Sequence, residues 1–224
     1  MKTSLFDLYK VGIGPSSSHT MGPMRAARRF AAELDAAGLL PQVVEVRVEL
    51  YGSLALTGRG HGTDRAVLLG LSGDEAAKID PATIEPRLAE IRSSGKLVLL
   101  GRHPIAFREA QHLIFNGDQM VPPGASTQHP NGVRLVARDA EGKLLLMRTY
   151  FSVGGGFIIE DGEDAIPKAA TENAAVPYPF VSAAELLRMA DEAGKPIWAI
   201  MLINESALRP SEDVRAGILH IWSV

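Results

Sequence analysis

The stretch at residues 44–64 constrains the fold more than any other part of the chain. Val44, Val46, Val48 and Leu50 alternate with Glu45, Arg47 and Glu49. A period of two places alternate side chains on opposite faces, so residues 43–51 are expected to form a strand with one buried face. A glycine-rich loop at residues 52–62 follows, after which Thr63 or Asp64 can cap a short helix through Leu71. Before the strand, residues 22–38 read as a helix. Pro23 lies near its start, Gly38 ends it, and Met24, Ala27, Phe30 and Leu34 share one face.

Further along, residues 80–90 read as helical in part and residues 96–101 as a buried strand. Residues 117–130 are rich in Pro and Gly and read as loop. Two strands, at residues 131–138 and 143–153, are joined by the hairpin signal Asp139-Ala140-Glu141-Gly142. The triplet Gly154-Gly155-Gly156 breaks that pattern. These elements predict an α+β (mixed α/β) domain over residues 1–156. Residues 157–224 have another character. Pro177-Tyr178-Pro179 is incompatible with regular helix. Ser182 and Glu185 form a capping-box pattern for a helix ending at Gly194. The apolar run at residues 197–203 fits a strand or a buried helix. Ser211 is placed to cap a last helix with Val214, Ile218, Ile221 and Trp222 in one stripe. That stripe either docks on its own domain or packs against something further.

Composition removes several function classes. A net charge of −3 gives no reason to expect nucleic-acid or anionic-membrane binding. No apolar run approaches a membrane span, and residues 1–10 lack a signal-peptide core, so the expected location is cytoplasmic. With no cysteine, the chain can form neither a disulfide nor a thiolate-bound metal site. The six histidines show no HxxxH or HExxH spacing, and no protein metal site is expected.

Two segments are equipped for chemistry. The first is Gly12-Ile13-Gly14-Pro15-Ser16-Ser17-Ser18-His19-Thr20-Met21-Gly22-Pro23, directly ahead of a helix. Its hydroxyls and helix-start amides can converge on a carboxylate, and Arg25 and Arg28 near the positive end of the helix dipole would be compensated by such an anion. Equally, serine and threonine are ordinary helix caps. The second segment is Tyr51 to Asp64, with His61 between two glycines. Such a histidine suits general-base work, or it is a solvated loop residue. Asp64 either orients the imidazole or caps the helix. Asn131, in His129-Pro130-Asn131-Gly132, either hydrogen-bonds a ligand or fills a turn position. His103 and His112 read as structural or surface residues, and His220 sits near a helix C-terminus, where a cation is favoured.

These motifs, in this order, resemble the bacterial iron–sulfur L-serine dehydratases. Ser4-Leu5-Phe6-Asp7 with the segment from Lys10 to Thr20 is similar to that family's opening. The blocks at residues 51–64, 129–132, 150–157, 176–180 and 203–208 are similar to its later ones. The resemblance covers essentially the whole chain. It implies a serine dehydratase beta domain akin to the allosteric substrate-binding domain of some phosphoglycerate dehydrogenases. A linker and the beginning of a helical alpha domain, truncated here, would follow from residue 157. The implied activity is L-serine ammonia-lyase, giving pyruvate and ammonia. It would be assisted by a 4Fe–4S cluster acting as Lewis acid and held by alpha-domain cysteines, with no pyridoxal phosphate. By the same resemblance His61 is the base that takes the α-proton, with Thr63 as a neighbouring hydrogen-bonding group. Ser16, Ser17, Ser18, His19, Thr20 and Asn131 hold the substrate. Gly62 stands where some relatives have a second histidine, so only His61 can serve in that loop. The chain is about half the length of single-chain members. It is therefore expected to need an alpha domain in cis or in trans, to be inactive alone, and to belong to a homodimer. The competing readings are a non-catalytic serine- or anion-sensing module and, more weakly, a hydrolase using Ser17 and His19.

Overall fold

The computed structural model describes residues 4–163 and 175–224. It divides into two compact units: residues 12–166, and residues 1–11 grouped with 167–224. The linker expected after residue 156 falls in part on residues 164–174, outside the described residues.

A short helix, α1 (Leu5–Leu8), precedes a π-helical turn at Ser17–Met21 that runs directly into α2 (Gly22–Ala36). Then come β1 (Glu45–Tyr51), α3 (Gly52–Leu56), a 3-10 turn at Gly58–His61, α4 (Thr63–Leu71) and α5 (Pro81–Ser94). A hairpin of β2 (Lys96–Leu99) and β3 (His103–Ala106) leads through α6 (Glu109–His112) to β4 (Leu113–Asn116). The sheet is completed by β5 (Gly132–Arg138), β6 (Leu144–Gly154) and β7 (Phe157–Glu160).

The five strands lie in the order β4-β1-β5-β6-β7; β1 and β4 are parallel and the other neighbours antiparallel. The alternation has the predicted consequence from residue 45 on, whereas Val44 lies ahead of the strand and is 51% exposed. Val46, Val48 and Leu50 are buried opposite Ala137, Leu135 and Val133, while Arg47 stays exposed. Helix α2 covers this core with Met24, Ala27, Phe30, Ala31 and Leu34, all fully buried. Helix α4 packs on α2 and buries Val67, Leu68, Leu69 and Leu71, each worth about 1.5–3 kcal/mol when removed from water. The two helices meet at Gly70, where a Cβ would strike the Met24 carbonyl and come within 2.9 Å of Ala27 Cβ. At the edge, Arg148 Nε bonds Glu33 at 2.8 Å and Glu160 at 3.0 Å, and Tyr150 donates to Glu33 at 3.0 Å. This polar cluster ties α2 to β6 and β7.

Several local expectations are corrected. Residues 52–62 are not open loop but two short helical turns, because Leu54 reaches the core and Gly52 and Gly62 supply the positive φ values of +52° and +67° at the joints. Neither Thr63 nor Asp64 caps α4; Gly62 holds the N-cap position and both side chains are used elsewhere. Strands β3 and β4 were not visible as patterns, being four residues each with irregular burial. The buried strand expected to reach residue 101 stops at Leu99, where Leu100 turns at φ 49°. The glycine triplet does not end the sheet, which continues into β7.

The second unit holds α7 (Ala183–Ala193), α8 (Ile197–Leu208) and α9 (Ser211–Ser223). Glu205, buried on α8, accepts from the Ser4 hydroxyl at 2.7 Å and the Leu5 amide at 2.6 Å, so α1 belongs to this unit. Asn204 accepts from the Tyr178 amide at 2.9 Å and donates to its carbonyl at 2.8 Å. The apolar run at residues 197–203 is therefore helix rather than strand. Ser182 caps α7 by accepting from the Glu185 amide, but the Glu185 carboxylate takes the Val181 amide instead of that of Ser182, so the box is half formed. Pro210, not Ser211, is the N-cap of α9.

Gly70→Ala is expected to lower unfolding stability by about 1–3 kcal/mol, the cost of overpacking a tight helix contact. Urea denaturation checks this; an unchanged midpoint contradicts the backbone approach of α2 and α4.

Candidate active site

The site forms where β1 ends. The chain turns at Gly52, whose amide donates to the Gln119 carbonyl at 2.8 Å, and the Ser53 amide donates to the Pro130 carbonyl at 2.8 Å. A Cβ at Gly52 would strike the Pro130 and Met120 carbonyls, so only glycine lets the 119–130 segment lie against the strand end. Asp161 secures that segment from β7's far side: one carboxylate oxygen accepts from the Ser126 amide and hydroxyl and the Thr127 amide at 2.9–3.0 Å. Burial pushes the Asp161 carboxyl up, but these bonds prevail and hold it below the usual range.

Two loops meet over this floor. Thr20 Oγ1 donates to the His61 carbonyl at 2.7 Å, and Thr63 Oγ1 donates to the His19 carbonyl at 2.5 Å. Thr20 directly follows His19 and Thr63 lies two residues after His61, and each is bonded to the backbone of the other loop's histidine. Both threonines are buried. This reciprocal brace sets the two imidazoles side by side, with ring centroids 5.0 Å apart.

The imidazoles are held differently. His61 Nδ1 lies 3.0 Å from the Thr57 carbonyl. A carbonyl can only accept, so Nδ1 carries the proton in that bond, and the neutral ring keeps its lone pair on Nε2. His19 lies between two hydroxyls, Ser18 Oγ at 2.9 Å from Nδ1 and Ser53 Oγ at 2.8 Å from Nε2. Burial, with the neighbouring His61, holds the His19 imidazole below its ordinary value; the bond with Ser53 opposes the shift without cancelling it.

Ser16 shapes the turn. Its hydroxyl accepts from the His19 amide at 3.2 Å and its amide donates to Thr20 Oγ1 at 3.2 Å. The next two amides, of Ser17 and Ser18, have no acceptor among the described residues. The Ser17 side chain is exposed beside them. The structure thus brings together Ser16, Ser18, His19, Thr20, His61 and Thr63. Asn131 is joined to them through the Pro130–Ser53 bond. Its amide nitrogen donates to the Ser152 carbonyl at 3.1 Å, while its buried Oδ1, like Ser152 Oγ, lacks a partner among the described residues.

Other expectations change. Arg25 donates to the Gly156 carbonyl at 2.6 Å and Arg28 pairs with Glu75 at 2.9 Å, so neither needs an anion at the helix start. Asp64 does not orient His61; it faces Arg92 at 3.4 Å. His103 donates to the Val43 carbonyl at 2.7 Å and is structural. Ser53 carries no mark in the sequence, because a serine after a strand-ending glycine looks like a helix cap, yet its hydroxyl meets His19. Among the described residues no three His, Asp or Glu side chains group to hold a metal ion, and the chain has no cysteine. No helix among them is long and apolar enough to cross a membrane.

Comparison with known proteins bears on this geometry. The family model for the serine dehydratase beta chain matches residues 4–163. The chain belongs to the serine dehydratase beta chain family. It is 47% identical over its whole length to an L-serine dehydratase of Streptomyces coelicolor, of which it covers 48%. It is 42% identical over 99% of its length to the L-serine dehydratase TdcG of Escherichia coli, covering 47% of that protein. An L-serine dehydratase of Mycobacterium tuberculosis is 42% identical over the whole chain, again with 47% covered. The chain thus spans about half the length of the relatives it matches. The family match contains every residue of the braced site, from Ser16 to Asn131.

The lowered His19 pKa has a signed consequence. The unfolded state binds more protons than the native state below the ordinary value of 6.5, so stability is fully present above that pH and is lost as pH falls through the depressed value. Denaturation between about pH 7.5 and 5 should show a smaller loss for His19→Gln than for the unsubstituted chain. Equal losses contradict the burial of a neutral His19.

Proposed function

We propose that this chain supplies the substrate-gripping and proton-transfer part of an L-serine dehydratase, the ammonia-lyase that converts L-serine to pyruvate and ammonia. The observation that carries the reading is the contact of His61 Nδ1 with the Thr57 carbonyl at 3.0 Å, which in the neutral ring leaves the lone pair on Nε2, while the Ser17 and Ser18 amides of the braced turn have no acceptor among the described residues.

The carboxylate of serine is held at the turn by the Ser17 and Ser18 amides, with the Ser17 hydroxyl alongside. The Cα–H then lies toward His61, whose Nε2 takes the proton. Loss of that proton and of the β-hydroxyl leaves 2-aminoacrylate, which tautomerises to the imine and is hydrolysed to pyruvate and ammonia. His19, kept neutral, leaves His61 free to accept positive charge without facing a second cation. Thr20 and Thr63 act as positioning residues through the two histidine carbonyls. Asn131 offers its unpartnered Oδ1 as an acceptor.

A 4Fe–4S cluster of the kind the resemblance implies does not fit these residues, since the chain lacks cysteine and its described side chains form no ligand group. We assign the cluster to an alpha domain joined in cis or in trans, and the assembly to a cytoplasmic homodimer that uses no pyridoxal phosphate.

In the complete protein with its alpha domain, His61→Ala should lower kcat by about 10²–10⁴, the range for losing a general base, while serine binding stays measurable. Turnover near that of the unsubstituted protein contradicts the assignment. Loss of binding together with turnover favours a purely substrate-holding His61.

A further inference from the structure

A cavity of about 300 Å³ lies beside the braced site, on the surface of the first unit. Thr20, Gly60 and Gly62 form part of its wall, but His61 is not among its lining residues. The imidazole is instead engaged with Thr57 and stands next to His19. The cavity therefore sees the backbone that carries the histidine and not the ring that does the chemistry.

Its lining has two halves. Ile13, Pro15, Leu69 and Ile84 make an apolar wall, and Arg59 and Arg65 bring two guanidinium groups. Among the described residues no carboxylate lines the space. Arg59 has no ion-pair partner among the described residues and rests on the Phe115 ring, 4.5 Å from its centroid. Arg65 pairs with Glu85, an exposed residue outside the lining, so one of the two charges is already answered and the other is not. The Ile13 wall is fixed by its amide donating to the Ala76 carbonyl at 2.9 Å. At about 30 Å³ per water, the cavity holds roughly ten water-sized volumes, enough for a molecule of a few carbons with a carboxylate.

We propose that this cavity, which adjoins the serine-holding turn along Gly14, Pro15 and Thr20, is a second ligand site that binds a small organic carboxylate with a short apolar body. The carboxylate pairs with Arg59, whose charge is unanswered, with Arg65 shared between the ligand and Glu85, and the apolar body lies on Ile13, Leu69 and Ile84. Occupancy is felt at Gly60 and Gly62, on either side of His61. The binding claim does not depend on His61 being the base.

The test is titration of the ¹⁵N-labelled 224-residue chain with sodium isobutyrate, with sodium phosphate and sodium chloride in parallel, following the Thr20, Gly60 and Gly62 amides. Isobutyrate should give saturable shifts at these amides, and the Arg59→Ala/Arg65→Ala variant should bind at least tenfold more weakly. Arg59→Gln/Arg65→Gln, which keeps the side-chain volume, replaces it if the alanine variant loses its dispersed spectrum. His61→Ala should leave isobutyrate binding intact. Shifts that do not saturate, equal binding by the double variant, or phosphate binding as tightly as isobutyrate overturns the proposal.

Discussion

Two hydrogen bonds hold the site together: Thr20 to the His61 carbonyl and Thr63 to the His19 carbonyl. Each joins a loop to the other's backbone, so neither histidine can shift without straining its neighbour. Both threonines are buried, and losing either hydroxyl would leave a carbonyl unpaired at a cost of about 1–3 kcal/mol. The brace works because α2 and α4, which start from these two loops, are locked against each other at Gly70. Core packing and site geometry are therefore one problem. The close approach of two helices fixes their beginnings, and their beginnings carry the two imidazoles.

The sheet supplies the other fixed point. Strand β1 ends where Gly52 lets the 119–130 segment approach, and that segment is held from the opposite edge by Asp161. Ser53, at this junction, takes one nitrogen of His19 and so links sheet to brace. The result is a polar cluster whose hydrogen bonds run mostly to backbone.

Much of this was legible in the sequence. The alternation of Val46, Val48 and Leu50 marked β1 and its buried face, though not Val44, and the spacing of Met24, Ala27, Phe30 and Leu34 marked α2. The motif order pointed to the serine dehydratase family, to which the chain belongs. What could not be read was the use to which polar side chains are put. Thr63 looked like a helix cap or a catalytic neighbour, yet its hydroxyl goes to a carbonyl 44 positions away in sequence. Arg25 and Arg28 looked like a call for an anion, yet both find partners more than 40 residues distant. The short strands β3 and β4 are made by tertiary pairing, which leaves no periodic trace in four residues. The joining of α1 to the C-terminal helices rests on the buried Glu205, which takes Ser4 and Leu5, and on Arg209, which reaches Ser4 and the Phe6 ring, pairings the sequence does not show.

The central claim is that the neutral His61 ring carries its proton on Nδ1, where it bonds the Thr57 carbonyl, and its lone pair on Nε2. Long-range ¹H–¹⁵N correlation spectra of the 224-residue chain at pH 7.5, with His61 assigned by comparison with His61→Gln, measure this directly. The account predicts a pyrrole-type shift at Nδ1 and a pyridine-type shift at Nε2. A pyridine-type Nδ1 with the proton on Nε2 would contradict it.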